Sequence, residues 1–403
     1  MKYIYSFFIA SPSLIPLLNG LLPIWLLINV YYFSYNFINT KVIIPLWLYL
    51  IPISSLLSFF YSSQYSKIGH LIAYFIIFLI AVPSFVVYFL NDNRKKTTPI
   101  KKIYDLVIWV CFTLFFTSLV DFILLYNGIT FESFLPYVGN KDPVMVSIFS
   151  RSRGFWAEPT DLSLAANAFF PLLIGFNSYK NIGKSKFIKA IIIYSCWVTI
   201  HLLAKSGSGT ISIFISFTLV NISFLFLKNR WLIIKKTNLY FLLTLTIVLL
   251  GIVFMNSKLF NTYIEQILPK LTFNTESISV STRLDSWTFA LSNYFSKDFF
   301  ILLLGSGPGH HSVISDLEIG KHTLNWIISI LSELGFIGFF GFLILCYKVF
   351  KLSLFMPYEI KKSYYISFLS LLIHYFTMSG FYLPPLPFLI SLPIVFQRFS
   401  IRD

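Results

Sequence analysis

Apolar residues recur along almost the whole chain in blocks of about 18–25, the length that crosses a bilayer as a helix. The blocks predict membrane helices near 14–33, 42–61, 68–90, 103–126, 160–178, 187–204, 209–227, 238–255, 323–348, 363–381 and 383–397, and residues 3–13 allow one further short span. Within a bilayer only helices and closed barrels meet their own backbone hydrogen bonds, and runs this long and unalternating are helical. The pattern therefore predicts an all-α, polytopic integral membrane protein with about 11–12 transmembrane helices in a single transmembrane domain over 1–403. The N-terminal stretch "MKYIYSFFIASPS" runs into further apolar sequence, so it reads as a first span or short hairpin and not as a cleaved leader.

Composition agrees with that pattern. Only 12% of residues are charged, about half the share of a soluble chain. The net charge of +15 would suit nucleic acid, but its placement points elsewhere. Lys and Arg fall into alternate short loops. Arg94, Lys95, Lys96, Lys101 and Lys102 lie in 91–102, and similar clusters lie in 180–189, 228–236 and 348–362. Lys41, Arg398 and Arg402 share this parity. Short basic loops stay cytoplasmic, so the charge encodes topology, and no nucleic acid partner is expected. The opposite, periplasmic side receives the segments 127–159 and 256–322, the latter being the one large loop. Cys111, Cys196 and Cys346 lie inside apolar runs without a CxxC partner and read as small hydrophobes. No internal repeat is visible.

Polar residues able to do chemistry gather in four places. In "RSRGFWAEPTDLSLAANAFF" (151–170), Arg151, Arg153 and Glu158 precede Pro159, which suits a first helical turn. Thr160, Ser163 and Asn167 then recur on one face of a helix entering the bilayer, and such faces look inward. Free N–H groups at that helix start favour an anion; the alternative is a charged interfacial anchor. In "LAKSGSGTISIFIS" (203–216), Gly207 and Gly209 with Ser206, Ser208 and Thr210 predict a hydroxyl-rich hairpin with Lys205 at its tip. In "SVSTRLDSWTFALSNYFSKDFFILLLGSGPGHH" (279–311), Ser281 or Thr282 is placed to cap an amphipathic helix carrying Leu284, Trp287, Leu291 and Tyr294, with Arg283 in its first turn. A glycine-rich loop, "GSGPG", follows. In "KHTLNWIISILSELGFIGFFGF" (321–342), His322, Asn325, Trp326, Ser329 and Glu333 share helical spacing, and Gly335, Gly338 and Gly341 allow close packing. Glu333 inside a span needs a partner or a purpose. A histidine such as His322 titrates near neutral pH and suits proton abstraction. His310, His311, Asp316 and Glu318 have no metal-ligand spacing, so no metal site is expected.

The order of these elements resembles the bacterial O-antigen polymerase and O-antigen ligase superfamily over about residues 150–345. "RSRGFWAEPTDLSLAA" is similar to the family's R-x-x-G…E-P segment, "STRLDSWTFAL…LLLGSGPG" to its R…W…GxG segment, and "HTLNWIISILSELGFIG" to its H-N-x-x-L…E-x-G-x-x-G helix. Two positions depart from it: Gly207 stands where the family often has Ser-Arg in the hairpin, and Thr323 follows the histidine in place of Asn. The resemblance implies transfer of an undecaprenyl-diphosphate-linked oligosaccharide at the periplasmic face of the inner membrane, with no metal and no cofactor. It implies Arg153 and Arg283 as diphosphate ligands with Arg151 and Lys205 beside them, His322 as base, Glu158 orienting Arg153 or the sugar, and Asn325 and Glu333 in support. Partners implied are the lipid-linked glycan, the bilayer and a chain-length regulator protein. The acceptor of a polymerase is the non-reducing end of another lipid-linked repeat unit, and that of a ligase is a lipopolysaccharide core. "RGFWAEP" is closer to the polymerase pattern. A transporter or flippase for the same lipid is the alternative of another class; it would show two related halves and a broken-helix site at mid-membrane.

The topology is directly testable. A single cysteine at Glu276 is expected to react with an impermeant thiol reagent from the outer face of the membrane, and cysteines in 91–102 only after the inner leaflet is breached. The reverse order of labelling would invert the whole assignment.

Overall fold

The computed structural model describes residues 2–10, 16–17, 22–37, 44–62, 66–90, 99–127, 129, 152, 156, 159–180, 184–227, 278–310, 325–378 and 383–400. The helices are α1 (Lys2–Ala10), α2 (Ile24–Phe37), α3 (Leu50–Tyr61), α4 (Ile68–Leu90), α5 (Pro99–Tyr126), α6 (Pro159–Lys180), α7 (Lys184–Ala204), α8 (Gly207–Leu227), α9 (Ile278–Phe295), α10 (Phe299–Leu304), α11 (Trp326–Leu352), α12 (Tyr358–His374) and α13 (Pro385–Ser400). The expected span 238–255 lies outside the described residues. Among those described, strand is confined to two short pieces, β1 (Pro16–Leu17) and β2 (Leu22–Pro23), paired antiparallel with Pro16 opposite Pro23. This corrects the expected span 14–33. Pro16 and Pro23 sit in these two strands, and helix begins only at Ile24. The expected span 363–381 also shifts, to α12, which ends at His374.

The chain is an all-α polytopic membrane protein. Ile68–Leu90, Pro99–Tyr126, Pro159–Tyr179 and Trp326–Phe355 are long and apolar enough to cross a membrane, and Leu46–Tyr61, Ile188–Ala204 and Gly207–Asn221 are shorter apolar helices. The burial pattern agrees. α5 buries Leu106, Val110 and Leu114 on one side and exposes Trp109, Phe112 and Phe116 on the other. A face of large apolar residues left open is at home in lipid.

The chain divides into two compact units. The first comprises Met1–Ile24, Ile100–Asn274 and Pro357–Ile373, and the second Trp25–Pro99, Thr275–Met356 and His374–Asp403. In the first, α6 packs against α7 and α8, and Gly175 lets α12 approach so closely that a Cβ there would lie 2.6 Å from Ser363 Cβ. A buried asparagine ties these helices together. Asn167 Nδ2 donates to Gly209 O (2.8 Å) and Ser212 Oγ (3.1 Å) of α8. Its Oδ1 faces Trp197 Nε1 (3.2 Å) and His201 Nε2 (2.7 Å) of α7. The indole N–H only donates, so the atom facing it is the amide oxygen, and His201 must carry its proton on Nε2. Every hydrogen-bonding position of Asn167 is thereby used. Ser370 of α12 extends the network through Ser212 Oγ (3.2 Å).

In the second unit α11 packs against α3, α9, α10 and α13, and α13 packs along the second half of α4. Phe388 meets Phe85 and Phe89 edge to face. Within α4, residues Ile76–Ala81 form a π turn just ahead of Pro83, which has no N–H to give. Ser84 Oγ reaches both Ile80 O (2.6 Å) and Asn29 O of α2 (2.8 Å).

Asn167→Ala removes the side-chain acceptor of two buried donors on α7 and one of the two side-chain donors to Gly209 O. It is expected to lower stability by at least about 2 kcal/mol, read as detergent-solubilised unfolding followed by fluorescence. An unchanged unfolding curve would mean that the network carries no net stability.

Candidate functional site

In the first unit, α6 begins at Pro159, as expected, and Ser163 and Asn167 are fully buried. The predicted polar face thus looks inward. Asp161 sits in the first turn, where an acid suits the helix dipole. The hairpin is shorter than the expected one. Only Lys205 and Ser206 lie between α7 and α8, and Gly207–Thr210 form the first turn of α8. Lys205 adopts a left-handed φ of 46° to close the turn. Ser206 then caps α8, its Oγ accepting from Gly209 N (3.2 Å) and its carbonyl from Thr210 N (3.1 Å). The Gly209 N–H is therefore occupied and is not offered to a phosphate.

Arg151, Arg153 and Glu158 lie outside the described residues, but Ser152 between the arginines is placed. Its N–H donates to Leu203 O (2.9 Å), two residues before Lys205, and its Oγ to Ser118 O (2.8 Å) and Asp121 Oδ2 (3.0 Å) of α5. Ser152 is thus joined to the end of α7 that leads into the lysine turn. Asp121 was not singled out as a site residue in the sequence, although an acid inside an apolar run is a signal in itself.

In the second unit, α9 begins at Ile278, so Ser281 and Thr282 do not cap it and Arg283 lies in its second turn, clear of the strongest part of the dipole. The buried face is Ser286, Ala290 and Tyr294, with Leu284, Trp287 and Leu291 half-buried at its flanks. Arg283 is one turn from Ser286 on this side and half-buried, its Nε taken out of solvent. Tyr294 donates its hydroxyl to Leu302 O and sets its ring edge to face with Phe336 of α11.

α11 starts at Trp326, and Asn325 is its N-cap, with Oδ1 accepting from Ile327 N (3.0 Å) and Ile328 N (3.1 Å). This corrects the stripe expected from His322 to Glu333. Only Trp326, Ser329 and Glu333 share the helical face, all buried; Asn325 acts as a cap, and His322 lies outside the described residues. Gly335 was expected to serve close packing. Its φ of 65° and ψ of −170° instead break the helix. The packing role falls to Gly341, against Leu50 of α3.

The break receives the glycine-rich loop. Ser306 N donates to Ser332 O (2.9 Å) and Gly307 N to Glu333 O (3.1 Å), which also accepts from Ser58 Oγ (2.6 Å). A Cβ on Gly305 would overlap the Glu333 carbonyl, and one on Gly335 would overlap Leu303 O, so two glycine backbones pass face to face. Pro308 O accepts from Lys67 N (2.8 Å) at the start of α4. The Glu333 carboxylate, 4% exposed, accepts from the Gly309 N–H and faces Tyr74 Oη at 3.5 Å. His310 is buried beside this loop. Burial, aided by the Lys297 charge, pushes its imidazole down to about 4, so it is neutral near pH 7. Arg283, Asn325 and Glu333 belong to this unit and Lys205 to the first.

No protein-family model matches the chain, and no curated protein is significantly similar to it.

Gly305→Ala and Gly335→Ala are each expected to destabilise the protein by more than about 2 kcal/mol, since both combine steric overlap with a strained φ. Gly341→Ala meets Leu50, its Cβ nearest at 3.3 Å, with no positive φ, and costs less. Unfolding midpoints of the three purified variants rank them; equal midpoints would deny the break its structural role.

Proposed function

We propose that this chain is a surface-polysaccharide polymerase, a membrane glycosyltransferase that acts at the periplasmic face of the bacterial inner membrane. It extends one undecaprenyl-diphosphate-linked repeat unit with glycan from another. The observation that carries the reading is the way residues of the motif segments are held. In the second unit the glycine loop is hydrogen-bonded to the broken helix at Ser332 and Glu333, and α9 with Arg283 lies along the same helix. In the first, Ser152 between Arg151 and Arg153 is bonded to the end of α7 beside Lys205.

In the proposed step an acceptor sugar hydroxyl attacks the anomeric carbon of the donor. The carbon–oxygen bond to the diphosphate breaks, and undecaprenyl diphosphate departs with the electron pair. His322 takes the hydroxyl proton, and Glu158 orients Arg153 or the sugar. Arg153 and Arg283 meet the charge that develops on the diphosphate; a planar guanidinium pairs with phosphate oxygens at two points, which lysine does not.

A transporter reading draws on one feature, the helix broken beside buried Glu333. The carbonyls of Ser332 and Glu333 at that break already accept from Ser306, Gly307 and Ser58, which favours a structural use of the break over an ion site.

With purified protein and a lipid-linked repeat unit, His322→Ala is expected to slow transfer by about 10²–10⁴-fold while lipid-diphosphate binding persists. Arg153→Ala and Arg283→Ala are expected to weaken that binding, and Lys at either position to recover little. Wild-type turnover in all three alanine variants would refute the assignment.

A further inference from the structure

The Asn167 network leaves two polar atoms at its edge unserved. Among the described residues, Ser163 Oγ and His201 Nδ1 are sealed from solvent and have no hydrogen-bond partner. Ser163 is 0% exposed and His201 8%. Ser54, Thr199 and Ser216 turn their hydroxyls back to the carbonyl four residues earlier in their own helices. Ser163 does not, and its hydroxyl faces α8 instead. A Cβ on Gly209 would lie 3.0 Å from Ser163 Oγ and 3.3 Å from His201 Cε1, the ring carbon bonded to Nδ1. Both groups therefore border one point, where α6 and α7 meet the start of α8. The nearest polar groups are already committed. The Gly209 N–H goes to Ser206 Oγ, and its carbonyl accepts from Asn167 and Ser212. Asn167 has no position left. His201 gives its Nε2 proton to Asn167, so in the neutral ring Nδ1 is an acceptor that needs a donor. Ser163 Oγ can both donate and accept. Buried polar atoms left unmet are costly, and a buried water or a ligand group is what normally meets them.

We propose that Ser163 and His201 form a binding site for one hydroxyl group. The bound O–H donates to His201 Nδ1, and its oxygen accepts from Ser163 Oγ. Each of these bonds is about 2.8 Å long, so one oxygen bridges two atoms that do not bond directly. The site selects for a donor. Nδ1 offers only a lone pair, and a bare phosphate oxygen, which only accepts, finds no proton there. Two sources supply a suitable group, a buried water or a sugar hydroxyl of the lipid-linked glycan. The water source is independent of the glycosyl-transfer reading, and the sugar source rests on it.

The test uses full-length protein in nanodiscs, with and without an undecaprenyl-diphosphate-linked repeat unit. An empty site and an occupied one give Ser163→Ala opposite signs. With the site empty, the variant sheds a buried polar atom that has no partner, and stability stays the same or rises. With a hydroxyl bound, it loses a hydrogen bond, and its unfolding equilibrium constant is expected to rise by about two- to tenfold. A rise in both conditions identifies water, and a rise only with the repeat unit identifies a sugar hydroxyl. Nitrogen-15 NMR of histidine-labelled wild-type protein reads the same site and keeps the test decisive if Ser163→Ala does not fold. The His201 signals are assigned by their loss in His201→Gln. They are expected to show a proton on Nε2, none on Nδ1, and magnetisation reaching Nδ1 from water, or from the repeat unit if the source is a sugar. Unchanged or raised stability of Ser163→Ala in both conditions would overturn the proposal. So would a proton on Nδ1, or no O–H proton beside Nδ1 in either condition. If the repeat unit does not bind the wild-type protein, the glycosyl-transfer reading fails, and the substrate-free measurements alone decide the proposal.

Discussion

A helix that breaks inside a bilayer frees carbonyl groups that water cannot reach, and each must find a donor in the protein. At Gly335 of α11 the donors are the Ser306 and Gly307 N–H groups and the Ser58 hydroxyl, meeting the carbonyls of Ser332 and Glu333. Backbone donors can come that near only if neither strand carries a side chain at the crossing, hence glycine at both 305 and 335. Much else in the second unit follows from this contact. The loop is fixed, so α9 and α10, which precede it, are drawn onto α11. The Glu333 carboxylate closes over the Gly309 N–H, and Pro308 O anchors the start of α4. A carboxylate two turns into a span is thus explained by the loop it holds.

The first unit obeys the same rule by a different route. Among its described residues the polar demand comes from side chains and helix ends. Asn167 satisfies four partners at once and fixes the orientation of His201. Ser206 meets the first turn of α8, and Ser152 meets the last turn of α7.

Apolar run length made the helical class and most span positions legible, because bilayer thickness sets that length directly. The inward face of Ser163 and Asn167 was legible for a related reason, since polar residues on a membrane helix avoid lipid. Local breaks were not. The departure from helix in 14–33 falls at Pro16 and Pro23, whose effect hydrophobicity alone hides. Gly335 looked like the other packing glycines, since its positive φ depends on a loop thirty residues away in sequence. Asn325 was counted into a helical stripe although Asn is a strong capping residue, and the helix starts just after it. Asp121 and Ser152 escaped notice because a pairing across thirty-one positions leaves no periodic trace. Of the site itself, Lys205, Arg283, Asn325 and Glu333 are placed within their units, while Arg151, Arg153, Glu158 and His322 lie outside the described residues.

The central claim is that the polar segments in these membrane helices serve glycosyl transfer from a lipid diphosphate. Its most direct test is product analysis with purified wild-type protein, supplied only with an undecaprenyl-diphosphate-linked repeat unit, in buffer containing a metal chelator. The account predicts lipid-linked glycans of two or more repeat units, with one undecaprenyl diphosphate released for each new linkage. Unchanged substrate, movement of the intact lipid-linked glycan across the bilayer without new linkages, or turnover that the chelator abolishes would contradict it.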